Sequence, residues 1–138
     1  AFGLTAALRG RAARRAAVEA ALQTAGLAGF YNRDPATLSG GQRARAALMR
    51  TLLAEPQALL LDEPFSALGP AMRREMLELV AEKLKGRTVL MVTHDPEDAK
   101  QIADLLVMVD GGVANAPVAT SKAFARPGPA LAAYLGRK

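Results

Sequence analysis

The stretch Pro56-Gln57-Ala58-Leu59-Leu60-Leu61-Asp62-Glu63-Pro64 decides the fold of this chain. Its apolar run is short and a proline bounds it on each side, which predicts a buried β-strand over residues 57–62. A second run of this kind covers residues 88–93, and the segment between them, residues 70–85, has apolar side chains at helical spacing. A strand–helix–strand order predicts a right-handed crossover and a parallel sheet that is covered on both faces.

The flanking segments extend this α/β pattern. Helical spacing and end signals predict three more helices, over residues 11–25, 39–54 and 96–103. The apolar run 105–109 predicts a third parallel strand, and Asp110-Gly111-Gly112 predicts the turn of a hairpin. We therefore expect a helical part over residues 1–55 and an α/β part over residues 56–138. A sheet of this size is small for a complete domain, and with no initiator Met we expect a trimmed product or a fragment.

The composition excludes several kinds of site. The chain has 138 residues and no cysteine, which excludes disulfides, thiolate metal sites and cysteine nucleophiles. Its one histidine, His94, excludes a metal site built from several histidines. No apolar run comes near the roughly 18 residues that a membrane-spanning helix requires.

The positive charge is concentrated in the N-terminal part. Residues 1–50 carry eight Lys and Arg against two acids, whereas residues 51–138 carry ten against eleven. This basic part could bind nucleic acid, anionic lipid or the phosphates of a nucleotide. Alternatively, it is a solvated helix face, because its arginines lie among alanines without aromatic residues between them; these are Arg9, Arg11, Arg14 and Arg15.

Two acids and the histidine follow the two predicted parallel strands. Asp62 and Glu63 end the first strand, and Thr93 and His94 end the second. Because ligands bind beyond the carboxyl ends of the strands in open α/β sheets, these side chains are expected at one edge. There an Asp can hold Mg²⁺, directly or through water, and a Glu can orient or deprotonate an attacking water. Alternatively, the acids only cap the turn that follows the strand.

The segment Leu38-Ser39-Gly40-Gly41-Gln42 predicts a helix start that also binds phosphate. Ser39 followed by Gln42 fits a capping box, which alone explains a stable helix start. The two glycines each weaken a helix by roughly 1 kcal/mol relative to alanine. They also let backbone N–H groups approach an anion closely at the positive end of the helix. Arg43 and Arg45 add positive charge nearby, so the segment predicts a phosphate-binding site.

Four motifs together resemble the ATPase subunits of ABC transporters. They are Leu-Ser-Gly-Gly-Gln at 38–42, Ala-Leu-Leu-Leu-Asp-Glu-Pro at 58–64, Ser-Ala-Leu-Gly at 66–69 and Thr-His at 93–94. In order, they are similar to that family's signature motif, Walker B motif, D-loop and H-loop. The resemblance implies an α/β fold with a partial P-loop NTPase-type parallel sheet and flanking helices, preceded by part of a helical subdomain. It assigns residues 1–55 to the helical subdomain and residues 56–138 to the C-terminal part of the ATPase core.

The resemblance also implies a role for each motif residue. Asp62 would help to hold Mg²⁺, Glu63 would be the general base for the hydrolytic water, and His94 would contact the γ-phosphate of ATP. The signature residues would bind the γ-phosphate of an ATP held by the opposite subunit; these are Ser39, Gly40, Gly41 and Gln42. The D-loop residues would lie across the dimer interface; these are Ser66, Ala67, Leu68 and Gly69.

The sequence departs from the family in two places. It contains no Gly-x-x-x-x-Gly-Lys-Ser/Thr segment, the loop whose backbone and Lys hold the nucleotide phosphates. The Q-loop glutamine and the adenine-stacking aromatic, which lie further upstream in the family, are missing as well, so the chain resembles the C-terminal part of such a subunit. Gly69 takes a place where the family usually has Asp, a change that costs a helix N-cap only a few tenths of a kcal/mol.

Within the family, three segments resemble most the ATPase subunits of bacterial thiamine importers: residues 64–77, Met91-Val92-Thr93-His94 and Glu97-Asp98-Ala99. This implies an importer subunit for a small solute, with ATP and Mg²⁺ as cofactors, at the cytoplasmic face of the bacterial inner membrane. The expected partners are a second ATPase subunit and transmembrane permease subunits, with a solute-binding protein acting indirectly and no nucleic acid. Two other interpretations stay open: a non-transport ABC ATPase that acts on nucleic acid or the ribosome, and a structural module without catalysis.

Overall fold

The computed structural model describes residues 10–136, which form two compact units divided between Val92 and Thr93. The first unit contains α1 (Arg11–Thr24), a 3₁₀ turn (Pro35–Thr37), α2 (Gly40–Leu53), β1 (Ala58–Asp62), α3 (Pro70–Lys83) and β2 (Thr88–Val92). The second contains α4 (Pro96–Ile102), β3 (Leu105–Leu106), β4 (Val109–Asp110), β5 (Val113–Ala114), β6 (Val118–Ala119), α5 (Thr120–Ala125) and α6 (Pro129–Tyr134). Arg9 of the basic run lies outside the described residues.

The two strands of the first unit form the predicted parallel pair. The register runs from Ala58 opposite Thr88 to Asp62 opposite Val92. Helix α3 lies between the two strands in sequence, as the crossover prediction requires, and Pro70 occupies its first turn, where a missing N–H costs nothing. The chain therefore has the mixed helix and strand order of an α/β protein, with its acid pair placed where β1 ends.

The sheet has one buried and one exposed face. Leu59 and Leu61 are buried on one side of β1. On the other side Leu60 is 80% exposed, and its neighbours on β2, Leu90 and Val92, are 61% and 56% exposed. The expectation that both faces are covered is therefore wrong for residues 10–92. Side chains alternate along a strand, so the apolar run supplies leucines to both faces, but in this unit the buried core forms on one of them only.

The third parallel strand predicted over residues 105–109 is not formed. The run is divided into β3 and β4, and β3 pairs antiparallel with β6, with Leu105 opposite Ala119. The β4–β5 hairpin lies between β3 and β6 in sequence and reverses the chain direction, so β6 returns antiparallel to β3. The apolar run specified a strand but not its partner.

The predicted hairpin is confirmed. Strands β4 and β5 pair antiparallel through a two-residue loop, Gly111-Gly112, with Asp110 in the strand rather than in the turn. Both glycines have positive φ, 55° and 78°. A two-residue hairpin loop that follows the twist of its strands needs positive φ at both positions, which explains glycine at each.

In residues 10–136 we find no helix with the length and apolar character of a membrane span. The division into residues 1–55 and 56–138 stays a prediction.

Candidate functional site

The start of α2 has the geometry predicted for the segment 38–42. The Ser39 hydroxyl accepts a hydrogen bond from the backbone N–H of Gln42 at 3.3 Å. The Gln42 side-chain oxygen accepts one from the backbone N–H of Ser39 at 3.0 Å, which completes a capping box. Ser39 and Gly40 are exposed, and Gly41 and Gln42 are half-buried. The first turn of a helix with exposed glycine backbone is a suitable place for a phosphate.

Glycine at position 41 permits a close approach to the segment 66–69 of the same chain. A Cβ added to Gly41 would lie 3.0 Å from the carbonyl oxygen of Ala67 and 3.6 Å from Leu68 Cδ2. The first distance is tighter than nine in ten real Cβ contacts, so the backbone at Ala67 would have to shift by a few tenths of an ångström. The structure therefore brings together two of the predicted sites, the signature segment and the segment 66–69. Gly40 has open space at the same position.

The two arginines that follow the signature segment are engaged with the protein. Arg43 donates to the carbonyl oxygen of Leu38 at 3.2 Å. Arg45, which the sequence placed near the phosphate site, instead donates from Nη1 to the carbonyl oxygen of Ala25 at 2.5 Å, and the same nitrogen lies 3.6 Å from Met72 Sδ. The physical reason is helix geometry, because two residues turn the side chain by about 200° around the axis. Arg45 therefore ties α2 to the end of α1.

The acid pair lies at the carboxyl end of β1. Asp62 is the last residue of the strand and is exposed, whereas Glu63 is half-buried. The backbone N–H of Glu63 donates to the Val92 carbonyl at 2.9 Å, and its own carbonyl accepts from the Ser66 hydroxyl at 3.0 Å. Glu63 has φ of 45°, a left-handed conformation that costs roughly 1–3 kcal/mol outside glycine and persists only where its surroundings hold it. The chain therefore turns sharply at the predicted base.

Asp62 fits a magnesium site of the nucleotide-bound kind. In residues 10–136 no three His, Asp or Glu side chains form a group that could hold a metal by themselves. Mg²⁺ commonly takes only one or two protein carboxylates and completes its shell with water and substrate phosphates. One exposed carboxylate at a strand end matches that pattern, and the phosphates would have to come from the bound nucleotide.

His94 belongs to the second unit, where its segment is held by hydrogen bonds. His94 is exposed, and its backbone carbonyl oxygen accepts a hydrogen bond from the Tyr134 hydroxyl. The preceding Thr93 donates to the carboxylate of Asp98 at 2.9 Å. Sequence reasoning predicted no role for Tyr134 or for Asp98, although Asp98 lies in a segment that carries the family resemblance. The expected meeting of His94 with the acid pair stays a prediction.

The D-loop segment ends at the N-cap of α3. Gly69 takes the N-cap position in extended conformation, with φ −69° and ψ 160°, and makes no side-chain cap. A Cβ at this position would meet nothing within 4 Å. An aspartate therefore fits without displacing its neighbours.

We expect Gly69→Asp to stabilise the protein slightly and to alter the ATP hydrolysis that the motif resemblance implies for the full-length protein. The carboxylate can cap the free N–H groups of the first turn, a gain of a few tenths of a kcal/mol over glycine. If residues 66–69 lie across a dimer interface, the added charge also changes turnover. Calorimetric melting and steady-state phosphate release measure the two effects. A raised melting temperature with unchanged turnover would leave the substitution with a structural effect only.

The basic helix α1 engages part of its charge locally. Arg15 forms an ion pair with Glu19 at 2.9 Å, and its guanidinium lies 4.9 Å from the centre of the Tyr31 ring. The hydrogen bond to Glu19 and the charge of that carboxylate raise the pKa of Arg15 above its ordinary value. These contacts agree with the solvated helix face as the explanation for this arginine.

Comparisons with known proteins first give the class of protein that this chain resembles. Residues 4–66 match the family described as ABC transporter. The chain is similar in fold to an ABC transporter in an inward-facing conformation, with TM-score 0.70, 27% sequence identity and coverage of 88% of this chain and 48% of that chain. It is also similar to a bacterial Atm1-family ABC exporter with ATP bound, with TM-score 0.73, 28% identity and coverage of 88% and 23%. The predicted fold class is therefore confirmed.

Individual relatives then show which proteins of this class the chain resembles. The chain is 54% identical to the thiamine import ATP-binding protein ThiQ of Cereibacter sphaeroides over 98% of its length. It is 49% identical to the ThiQ protein of a Ruegeria species over 91% and 50% identical to that of a Chelativorans species over 90%. The resemblance to the ATP-binding subunits of ABC transporters, and among them to those for thiamine import, is confirmed. The chain spans 59%, 55% and 52% of the lengths of these relatives.

Proposed function

We propose that this chain is the C-terminal part of the ATP-binding and ATP-hydrolysing subunit of a bacterial ABC importer, with thiamine as the imported solute. The observation that carries the proposal is the acid pair Asp62-Glu63 at the carboxyl end of a parallel strand, where α/β proteins bind their ligands. The four motifs and the similarity to ThiQ proteins support the reaction and the solute. ATP and Mg²⁺ are the proposed cofactors.

In this proposal each residue acts through its place in the fold. Asp62 holds the metal, which would neutralise charge on the phosphates during transfer. Glu63, held by the turn at the end of β1, orients the attacking water and takes its proton. His94 contacts the γ-phosphate. Phosphoryl transfer depends mainly on positioning and electrostatic stabilisation, so the strained backbone at Glu63 is the feature that we assign to catalysis.

The start of α2 acts on a second nucleotide. The signature residues Ser39 to Gln42 bind the γ-phosphate of ATP held by a second copy of the subunit, and residues 66–69 lie across the interface between the copies. The contact of Gly41 with Ala67 supports this arrangement, because it couples the two segments within one chain. Permease subunits are the membrane partners, a solute-binding protein acts indirectly, and the complex lies at the cytoplasmic face of the inner membrane.

Transport by cells tests the proposal. The full-length protein, expressed with its permease and solute-binding protein in cells that lack thiamine uptake, is expected to hydrolyse Mg-ATP and to restore uptake of labelled thiamine. Uptake of a different cationic vitamin-sized solute serves as the control. ATP hydrolysis without thiamine uptake would contradict the proposal that thiamine is the imported solute. Absence of hydrolysis would contradict the proposal that the subunit is an ATPase. Salt-dependent binding of DNA or RNA would favour the non-transport alternative.

A further inference from the structure

The segment that carries His94 is hydrogen-bonded to a buried carboxylate. Asp98 is 1% exposed and accepts a hydrogen bond from the Thr93 hydroxyl at 2.9 Å. The same hydroxyl oxygen accepts one from the backbone N–H of Asp95 at 3.1 Å. Thr93 is therefore bonded directly to a side chain in α4, and Asp95 is bonded to the Thr93 hydroxyl.

Tyr134 holds the same segment from another part of the second unit. Its hydroxyl donates to the carbonyl oxygen of His94, forty residues away along the chain. Tyr134 is the last residue of α6, and Leu131, one turn before it, is buried and anchors the helix. A hydrogen bond to the main-chain carbonyl restrains the backbone of His94.

We propose that Asp98 and Tyr134 are positioning residues that set the place of the His94 imidazole. This inference rests on the proposed function, in which His94 contacts the γ-phosphate of ATP. His94 itself is exposed and lies between β2 and α4, in a segment without helix or strand. A catalytic group on such a segment needs other residues to keep it within a fraction of an ångström of its working position.

The burial of Asp98 supports positioning over simple packing. Removing a carboxylate from water costs free energy unless hydrogen bonds compensate it, so an apolar residue would fill the same space at lower cost. The N-terminus of α4 already has its cap, because Asp95 accepts from the backbone N–H of Glu97 at 2.9 Å. The hydrogen bond from Thr93 to Asp98 therefore serves the His94 segment in addition to the helix.

Removal of one hydroxyl tests the role of Tyr134. In the full-length subunit we expect Tyr134→Phe to lower kcat for ATP hydrolysis by about tenfold, since small displacements of catalytic groups cost up to about 10²-fold. The KM for ATP and the melting temperature are expected to stay unchanged. Tyr31→Phe is the matched control, because Tyr31 is the other tyrosine of the chain and lies in the first unit. Its kcat should equal that of the wild type.

Two further comparisons separate positioning from structure. If Tyr134 acts through His94, adding Tyr134→Phe to His94→Ala should lower the residual kcat no further. Thr93→Val, which removes the hydroxyl, should lower kcat, whereas Thr93→Ser should retain it. If Tyr134→Phe does not fold, the comparison of Thr93→Val with Thr93→Ser still tests whether hydrogen bonds to the His94 segment affect kcat.

The results separate this inference from the function on which it rests. Unchanged kcat in both Tyr134→Phe and Thr93→Val, an equal loss in Tyr31→Phe, or a full additional loss in the His94→Ala background would overturn the inference while the subunit remains an ATPase. A wild-type subunit without ATP hydrolysis would overturn the proposed function and the inference together.

Discussion

Glu63→Gln in the full-length subunit is expected to lower ATP turnover by roughly 10²–10⁴ while the affinity for Mg-ATP stays unchanged. Glutamine has nearly the shape of glutamate but cannot accept the proton of the attacking water. The turn at this position is held by the backbone of Glu63, through its N–H to Val92 and its carbonyl from Ser66. The substitution should therefore keep the conformation and remove only the base. Phosphate release and equilibrium nucleotide binding measure the two quantities.

Glu55→Gln is the matched control for this experiment. Among the described residues, Glu55 is the other non-glycine residue with positive φ, 46°, and it is exposed just before β1. It shares the residue type and the backbone strain of Glu63 but is not at the end of a strand. Its turnover should stay within about twofold of the wild type. Unchanged hydrolysis in Glu63→Gln, or an equal loss in Glu55→Gln, would show that Glu63 is not the base.

The 138-residue chain by itself is expected to bind Mg-ATP no more tightly than about millimolar, roughly −4 kcal/mol, and to show no hydrolysis above background. In the proposed function Asp62, Glu63 and His94 would supply a metal ligand, a base and a polar contact, but this sequence has no glycine-rich loop with a Lys to hold the β- and γ-phosphates. Because phosphoryl transfer relies on positioning, a base without that loop achieves little. In the proposed dimer, residues 39–42 face a nucleotide held by another subunit and cannot replace it.

Titration calorimetry of the chain with Mg-ATP measures this expectation, with Asp62→Asn as the paired variant. Circular dichroism of both proteins checks that the helices are formed. Micromolar affinity that disappears in Asp62→Asn would overturn the account, because it would mean that this half of the subunit holds the nucleotide by itself.

Local signals predicted the fold where a neighbour in sequence determines the structure. The capping box of Ser39 and Gln42 fixed the start of α2, and the prolines at 56 and 64 bounded β1. The prediction of a third parallel strand over 105–109 was wrong because an apolar run does not specify its partner strand, and Leu105–Leu106 pairs antiparallel with β6. The prediction that both faces of the sheet are covered was wrong because a run such as Leu59-Leu60-Leu61 places apolar side chains on both faces, whether or not both are buried.

The candidate site divides in the same way. The motifs located Asp62, Glu63 and the start of α2, because their chemistry depends on residue type and spacing. The positive φ of Glu63 could not be predicted, since it results from hydrogen bonds to Val92 and Ser66 together. Tyr134 is an exposed residue forty positions from His94, and nothing in its surrounding sequence indicates the hydrogen bond between them.

The exposed face of Leu60, Leu90 and Val92 determines how the chain behaves in a test tube. Within the described residues both strands of this sheet are edge strands, with backbone groups that can pair with a further strand. Apolar side chains next to open edges are the usual starting point for aggregation. The isolated 138-residue chain is therefore expected to associate with further copies of itself as its concentration rises, which light scattering measures.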